Sequence, residues 1–147
     1  LKLSYKYQDV RSQYMSGMKD KPFVPKHRAL VNLGYTTKNG NWYFDVTGNY
    51  YGTSRIPSTD SNPEAYQLSN QSEAYLIFNG QITRVFGDFE VYVGAENIGD
   101  FVQSNAIIDP ENPFGNYFDA SLIYGPLNGR TIYAGARYKL NLKNKNL

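Results

Sequence analysis

The chain has 147 residues, a formal net charge of +2 and no cysteine, and aromatic residues make up 16% of it. A near-balanced charge without a basic stripe argues against nucleic acid as a partner, and the missing cysteines exclude disulfides and thiolate metal sites. The sequence also lacks eighteen consecutive apolar residues, so it predicts no transmembrane helix. Strands that cross a membrane alternate apolar and polar residues, so a membrane protein is not excluded.

The first half of the chain reads as three strands, because apolar and polar residues alternate with a period of two. The dipeptide Asn39-Gly40 is a strong signal for a tight hairpin turn between two of them. We predict strands over 1–14, 28–36 and 42–51, a loop over 15–25 that is rich in glycine, proline and charge, and a turn over 37–40.

The second half continues the pattern, but with longer irregular stretches. We predict a second long loop to about residue 71, strands over 74–85 and 89–96 joined by a turn at 86–88, a third long loop over 99–129, and a last strand over 130–140. Six strands are therefore joined by connections that run long, short, long, short, long.

This order of connections predicts an all-β, antiparallel transmembrane β-barrel segment of about six strands. Outer-membrane barrels have short periplasmic turns on one side and longer extracellular loops on the other. The turns at 37–40 and 86–88 would then be periplasmic, and the loops around 15–25, 55–71 and 99–128 extracellular.

The apolar positions of the six strands form the predicted lipid-facing set. They carry almost no charge, as expected where Arg or Lys costs roughly 2–4 kcal/mol at the midplane. Aromatic residues lie towards the strand ends of this set, where such barrels have aromatic girdles. We assign to the girdles Tyr7, Tyr35, Trp42, Tyr50, Phe89 and Tyr138. The plain alternative is that these residues cover the core of a soluble domain.

Nearly the whole chain resembles one protein family, and three short motifs carry this resemblance. They are Pro25-Lys26-His27-Arg28 opening a strand, Gly94-Ala95-Glu96-Asn97-Ile98-Gly99-Asp100 at a strand end, and Asn112-Pro113-Phe114-Gly115 followed by Gly129 to Gly135. In this combination the chain resembles the C-terminal barrel portion of TonB-dependent outer-membrane receptors of the Bacteroidota type. The family usually ends in an aromatic residue, whereas the last strand ends here at Leu140.

The resemblance implies a protein of the bacterial outer membrane, with a 22-stranded barrel that encloses an N-terminal plug. Residues 1–140 would supply the last six strands and 141–147 a polar tail. We therefore expect a longer protein that imports a scarce extracellular ligand with energy from the TonB–ExbB–ExbD system, which contacts the plug region. Lipopolysaccharide would surround it, and whether a surface lipoprotein lid is a further partner stays open. No cofactor is expected.

The third long loop is the best candidate for ligand binding, because it combines aromatic rings with hydrogen-bonding groups. The candidates are Asp109, Glu111, Asn112, Phe114, Asn116, Tyr117 and Asp119. The alternative is that the aromatic side chains pack the loop against its neighbours while the acids are solvated. Which ligand is bound, whether siderophore, metal chelate, cofactor, glycan or peptide, does not follow from the sequence.

Metal binding and catalysis have little support. Met15, Met18 and His27 have side chains that suit a soft metal such as copper, but such residues in a loop are more often ordinary loop residues, and we expect no metal site. A single histidine and the absence of nucleophile or phosphate-loop motifs predict that the protein is not an enzyme. Two other functions stay open: a passive porin or small outer-membrane barrel, and a soluble β-sandwich that binds carbohydrate or acts in adhesion.

Overall fold

The computed structural model describes residues 1–140, and the predicted polar tail at 141–147 lies outside the described residues. The described chain is all-β, with a single turn of 3-10 helix at Glu64–Tyr66. No helix among these residues is long and apolar enough to cross a bilayer. The strands are β1 (Lys2–Tyr7), β2 (Arg11–Tyr14), β3 (Gly17–Asp20), β4 (His27–Thr36), β5 (Trp42–Tyr51), β6 (Tyr75–Phe86), β7 (Phe89–Glu96) and β8 (Thr131–Tyr138).

Six of these strands form one antiparallel sheet in the order β1-β4-β5-β6-β7-β8. Every neighbouring pair is consecutive along the chain apart from β2 and β3, which form a separate hairpin. The predicted all-β fold and the six antiparallel strands are confirmed. The sheet is open, however, with β1 and β8 as its two edges.

The first predicted strand and the first predicted loop are partly wrong. The strand predicted over 1–14 ends at Tyr7, and Arg11–Tyr14 pairs instead with Gly17–Asp20, inside the stretch predicted as a loop. Gly17 has a φ of 102°, which closes this hairpin and which other residues rarely adopt. The alternation is in fact reversed at Asp9 and Val10, where a charged residue takes the apolar position and an apolar residue the polar one. This reversal coincides with the end of β1.

The register places most of the apolar residues of the six strands on one face of the sheet. Residues directly opposite each other in an antiparallel pair point to the same side. One row runs from Leu33 through Val46, Gly80 and Ala95 to Ile132. We call this side the apolar face, and the opposite side the polar face.

The polar face carries side-chain hydrogen bonds between strands. Asn32 on β4 donates to Asp45 at 3.0 Å and to Thr47 at 2.8 Å, both on β5. Tyr133 on β8 donates to Gln81 on β6 at 3.1 Å. The strand charges that share this side are Lys2, Lys6, Arg28, Asp45, Glu90, Glu96 and Arg137, as their register positions require.

The hydrophobic core lies outside the sheet. The buried apolar side chains among the described residues are Ile56, Ile108 and Leu122, all in long connections, with Tyr66, Leu68 and Tyr124 packed against them. On the apolar face nearly all the large side chains are exposed instead, from 36% for Trp42 to 72% for Ile132, and Val91 is half-buried. No second layer of residues 1–140 covers this face.

The three long connections all lie at one end of the strands, and the two short turns lie at the opposite end. The short turns follow β4 and β6, and each contains a glycine in the left-handed region, Gly40 with φ 69° and Gly87 with φ 61°. The predicted sorting of long and short connections is therefore seen in the sheet topology.

Candidate functional site

The three long connections pack on one another at their end of the strands. We call residues 8–26, 52–74 and 97–130 together the loop layer. The first and second connections are joined through Arg55, whose guanidinium donates to the Asp20 carbonyl at 3.1 Å and lies over the Tyr14 ring. The second and third are joined by stacking of Tyr66 on Tyr117, with ring centroids 4.7 Å apart. The loop layer is thus a folded unit.

The buried side chain of Gln103 organises the centre of this layer. Its amide nitrogen donates to the Leu122 carbonyl at 3.1 Å, and its amide oxygen accepts from the backbone N–H groups of Tyr124 at 2.7 Å and Gly125 at 2.9 Å. Gln103 therefore satisfies buried and partly buried backbone groups beside the small apolar core.

The motif around Asn97 holds together the two ends of the third connection. The Asn97 amide nitrogen donates to the carbonyls of Phe101 at 2.7 Å and Asn128 at 3.3 Å, while its oxygen accepts from the Phe101 N–H at 3.0 Å. Asp100 accepts from the Arg130 N–H at 2.6 Å. The motif that carries the family resemblance has a structural role here, because it brings residue 97 next to residue 128.

The predicted ligand-binding residues lie at the protruding part of the third connection. Asn112 donates to the Asp109 carboxylate at 2.8 Å, and Asp119 pairs with Ile108 in an isolated bridge. Phe114 is fully exposed, whereas the Tyr117 ring is taken up by its stack on Tyr66. Glu111 and Asn116 also face solvent. Both expected features are present, packing and exposed hydrogen-bonding groups, and ligand binding by this set stays a prediction.

The weak metal candidates lie on separate elements. Met15 is exposed at the turn between β2 and β3, and Met18 lies on β3. His27 opens β4, where its Nδ1 is 2.7 Å from the Tyr5 hydroxyl and its ring contacts Tyr7. Within residues 1–140 no group of three or more His, Asp or Glu side chains is arranged to hold a metal ion.

The six predicted girdle residues all project from the apolar face and are exposed. Tyr7 and Tyr50 lie at the end near the loop layer, while Tyr35, Trp42, Phe89 and Tyr138 lie near the short turns. The cation of Arg84 sits 4.6 Å from the Trp42 ring centroid, at the short-turn end. Whether lipid surrounds these rings stays a prediction.

A polar cleft of about 520 Å³ opens between the β2–β3 hairpin and the second connection, and we call it the hairpin cleft. Buried Ile56 lies among its lining residues, and the rest of the lining is mostly polar. Its polar and charged lining residues include Arg11, Lys19, Asp20, Arg55, Asp60, Asn70 and Gln71.

Ion pairs anchor one side of this cleft. The Lys26 ammonium group lies 2.9 Å from the Asp20 carboxylate, and Arg11 lies 3.6 Å from the same group and 3.0 Å from Asp9. The hydrogen bond from Lys26 holds the pKa of Asp20 below its ordinary value. The same bond raises the pKa of Lys26. Asp20 is therefore already neutralised by cations of the protein.

A stack of aromatic rings lines a second cavity, of about 200 Å³, where the sheet meets the loop layer. Tyr75 stacks on Tyr51 at 4.8 Å and on Phe101 at 4.7 Å, and its hydroxyl donates to the Tyr124 carbonyl at 3.0 Å. The Arg28 guanidinium lies over Tyr51 at 4.6 Å. These contacts fix the base of the loop layer to the polar face.

Neither the hairpin cleft nor the aromatic-lined cavity was predicted from the sequence. The cleft joins residues 35 to 60 positions apart in the chain. The hairpin within 8–26 was predicted as the end of a strand followed by a loop. One signal for the aromatic stack was present: Tyr51 and Tyr75 interrupt the polar set of their strands at the ends nearest the long loops. Aromatic residues at polar positions point to a contact outside the sheet.

Comparison with known proteins found no matching protein-family model, curated protein or solved structure.

Proposed function

We propose that the chain is the C-terminal barrel portion of a TonB-dependent active transporter in a bacterial outer membrane. The full protein would bind a scarce extracellular ligand in its loops and plug and release it to the periplasm when TonB acts on the plug. No chemistry is done on the ligand. The proposal rests on the family resemblance of the sequence and on the organisation of the sheet.

The single observation that carries the membrane part is the uncovered apolar face. Six strands present aliphatic and aromatic side chains on one side, and the buried apolar residues lie in the loop layer instead. A water-soluble sheet buries such a face under a second layer. Contiguous apolar surface of this extent marks contact with lipid or another protein. Lipid is favoured because the face also carries aromatic residues at both ends.

The spacing of these aromatic residues suits a bilayer. Trp42 and Tyr50 are eight residues apart in β5, which corresponds to about 26 Å along a strand. At the usual tilt of barrel strands this is about 20 Å along the membrane normal, comparable with the ~25 Å apolar band of outer-membrane barrels. Charge on this face is confined to the ends, as with Arg84 beside Trp42.

The open edges support a larger barrel. β1 and β8 each present an unpaired row of backbone groups, and a sheet in lipid must pair all of them. In a closed barrel further strands would pair with both edges. The loop layer would then face the outside of the cell, and the polar face would line the lumen around the plug.

The proposal is tested first by topology in the membrane. Because residues 1–147 contain no cysteine, a single cysteine introduced there is a unique label in this region. In whole cells that express the full-length gene, we expect Phe114→Cys in the loop layer to react with a membrane-impermeant maleimide. Lys38→Cys in a short turn should react only after the outer membrane is permeabilised. Labelling of both sites in intact cells, or recovery of the protein in the soluble fraction, would contradict the membrane assignment.

Transport is tested separately. A strain in which the full-length gene is deleted should lose uptake of, or growth on, one compound in a panel of scarce nutrients. Deletion of tonB in the same host should abolish the same uptake, whereas a passive porin would keep it. Uptake that persists without TonB would overturn the active-transport mechanism while leaving the outer-membrane location intact.

A further inference from the structure

The hairpin cleft has the size of a small-molecule site. Its volume of about 520 Å³ falls within the range of 300–1,000 Å³ that is usual for ligand pockets. One wall is the β2–β3 hairpin, with Arg11 and Lys19, and the other is the second connection, with Arg55, Asn70 and Gln71. Both walls belong to the loop layer, which is the side where an external ligand would arrive.

Cationic groups outnumber anionic groups in the cleft. The lining contains Arg11, Lys19 and Arg55 against Asp20 and Asp60. Asp20 is further neutralised by Lys26 from outside the lining. The Lys19 side chain makes no hydrogen bond or ion pair with any of residues 1–140. Arg55 uses one N–H group on the Asp20 carbonyl, which leaves donors of its planar fork unused. Two cationic side chains are thus available to an anion.

The remaining polar groups suit hydroxyl groups better than a bare ion. The side-chain amides of Asn70 and Gln71 make no hydrogen bond within the described chain, and neither does the carboxylate of Asp60. Amides both donate and accept, and a carboxylate accepts, so together they match a body that carries several hydroxyl groups. An ion without hydroxyl groups would leave these side chains unused, and a neutral polyol would leave the cations unpaired.

We infer that the hairpin cleft binds a hydroxylated organic anion: a sugar-sized molecule that carries a carboxylate or phosphate group. Lys19 and Arg55 contact the anionic group, and Asn70, Gln71 and Asp60 bind the hydroxyl groups. The inference names the chemical class of ligand for the proposed transporter. Only the import of that ligand rests on the proposed function. Binding itself is a property of the cleft.

Binding is measured by calorimetry on the purified full-length protein in detergent, with three probes of similar size. We expect glucuronate or glucose 6-phosphate to bind more tightly than glucose, and the comparison between the two anions decides whether carboxylate or phosphate is preferred. Affinity for the anion should fall as salt is raised, since the contacts are solvent-exposed. Equal binding of glucose and both anions, or no binding of either anion, would overturn the inference.

Variants locate the site. Lys19→Gln should weaken binding of the preferred anion roughly tenfold, as expected for loss of one charge-assisted hydrogen bond. Lys38→Gln is the matched control, because it removes the same charge from an exposed turn at the opposite end of the strands. Asn70→Ala should weaken binding with the charge unchanged. Unchanged affinity in Lys19→Gln and Asn70→Ala would place the anion elsewhere.

The two proposals fail in distinguishable ways. Correct membrane topology together with no anion binding would exclude the cleft and keep the transporter. Anion binding by a protein that is soluble without detergent would keep the cleft and exclude the transporter.

Discussion

The phenol ring of Tyr133 on β8 lies directly over Gly94 on β7, so that a Cβ atom at Gly94 would overlap it. The relationship is reciprocal, since Tyr92 on β7 covers Gly135 on β8 and the two tyrosine rings meet edge to face at 6.4 Å. A bulky ring packed over a glycine in the next strand holds two strands in register.

We therefore expect Gly94→Ala and Gly135→Ala each to destabilise the sheet by about 1–3 kcal/mol, the usual cost of overpacking. The control is Gly99→Ala, where nothing lies within 4 Å of the added Cβ. Urea unfolding of the detergent-solubilised protein measures the difference. Equal midpoints for Gly94→Ala and Gly99→Ala would show that the rings move aside freely.

Glu90 joins the last two strands on the polar face. Its side chain is buried, with 7% of the residue exposed, and lies 3.2 Å from Arg137 and in contact with Lys139. Glu90→Gln should lower the free energy of unfolding only slightly, because both cations are largely exposed and can be solvated by water. Glu96→Gln on the same strand and face removes a carboxylate that has no such partner among residues 1–140. An equal loss in both variants would mean that net charge, and not the ion pair, determines the effect.

The ion pair between Asp20 and Lys26 makes the hairpin cleft sensitive to pH. The folded pKa of Asp20 is lowered by its hydrogen bond to Lys26, so the pair stabilises the fold above the unfolded pKa of aspartate. That stabilisation is lost as pH falls through the folded pKa. The raised pKa of Lys26 has the opposite consequence, with loss at alkaline pH as pH rises through its folded value.

Titration of the Asp20 carboxyl by NMR checks this assignment. Lys26→Gln should raise the pKa of Asp20 towards its ordinary value, while Lys21→Gln, which removes a neighbouring exposed charge, should change it less. If both variants shift the Asp20 pKa equally, general electrostatics and not the 2.9 Å contact would be responsible.

A charge placed in the apolar face distinguishes lipid from water. Val46 is near the middle of β5, and Leu76 is near the loop-layer end of β6, both exposed on the apolar face. In a bilayer, Val46→Arg should cost about 2–4 kcal/mol and Leu76→Arg about 0–1 kcal/mol, because the cost depends on depth. Unfolding from lipid vesicles measures both. Similar small costs at the two positions would indicate that water covers the face.

The strands of the sheet were largely predictable from the sequence, because each has one apolar and one polar side. The alternation and the Asn39-Gly40 turn define β4 and β5 to within one residue. The sorting of long and short connections also follows from the sequence, since it requires only the order of strands and turns. The end of β8 at Tyr138, two residues before the predicted end, is the kind of boundary that periodicity does not determine.

The site was much less predictable, because it depends on contacts between distant segments. Nothing local to Arg55 indicates that its side chain would bind the Asp20 carbonyl and pack on Tyr14. Equally, no periodic pattern predicts that Gln103 would bind three backbone groups between residues 122 and 125. The composition of the third connection indicated a ligand-binding site there, whereas the hairpin cleft lies between the first and second connections.

The most direct measurement is the environment of alternate side chains along β5 in the membrane. Single cysteines at Phe44, Val46, Asp45 and Thr47 carry a nitroxide label in the full-length protein reconstituted in lipid vesicles. We expect the labels at 44 and 46 to collide with oxygen dissolved in the lipid, and those at 45 and 47 to be shielded or reached by a water-soluble nickel chelate. Equal access of the nickel chelate to labels at 44 and 46 would contradict the lipid-facing assignment of the apolar face.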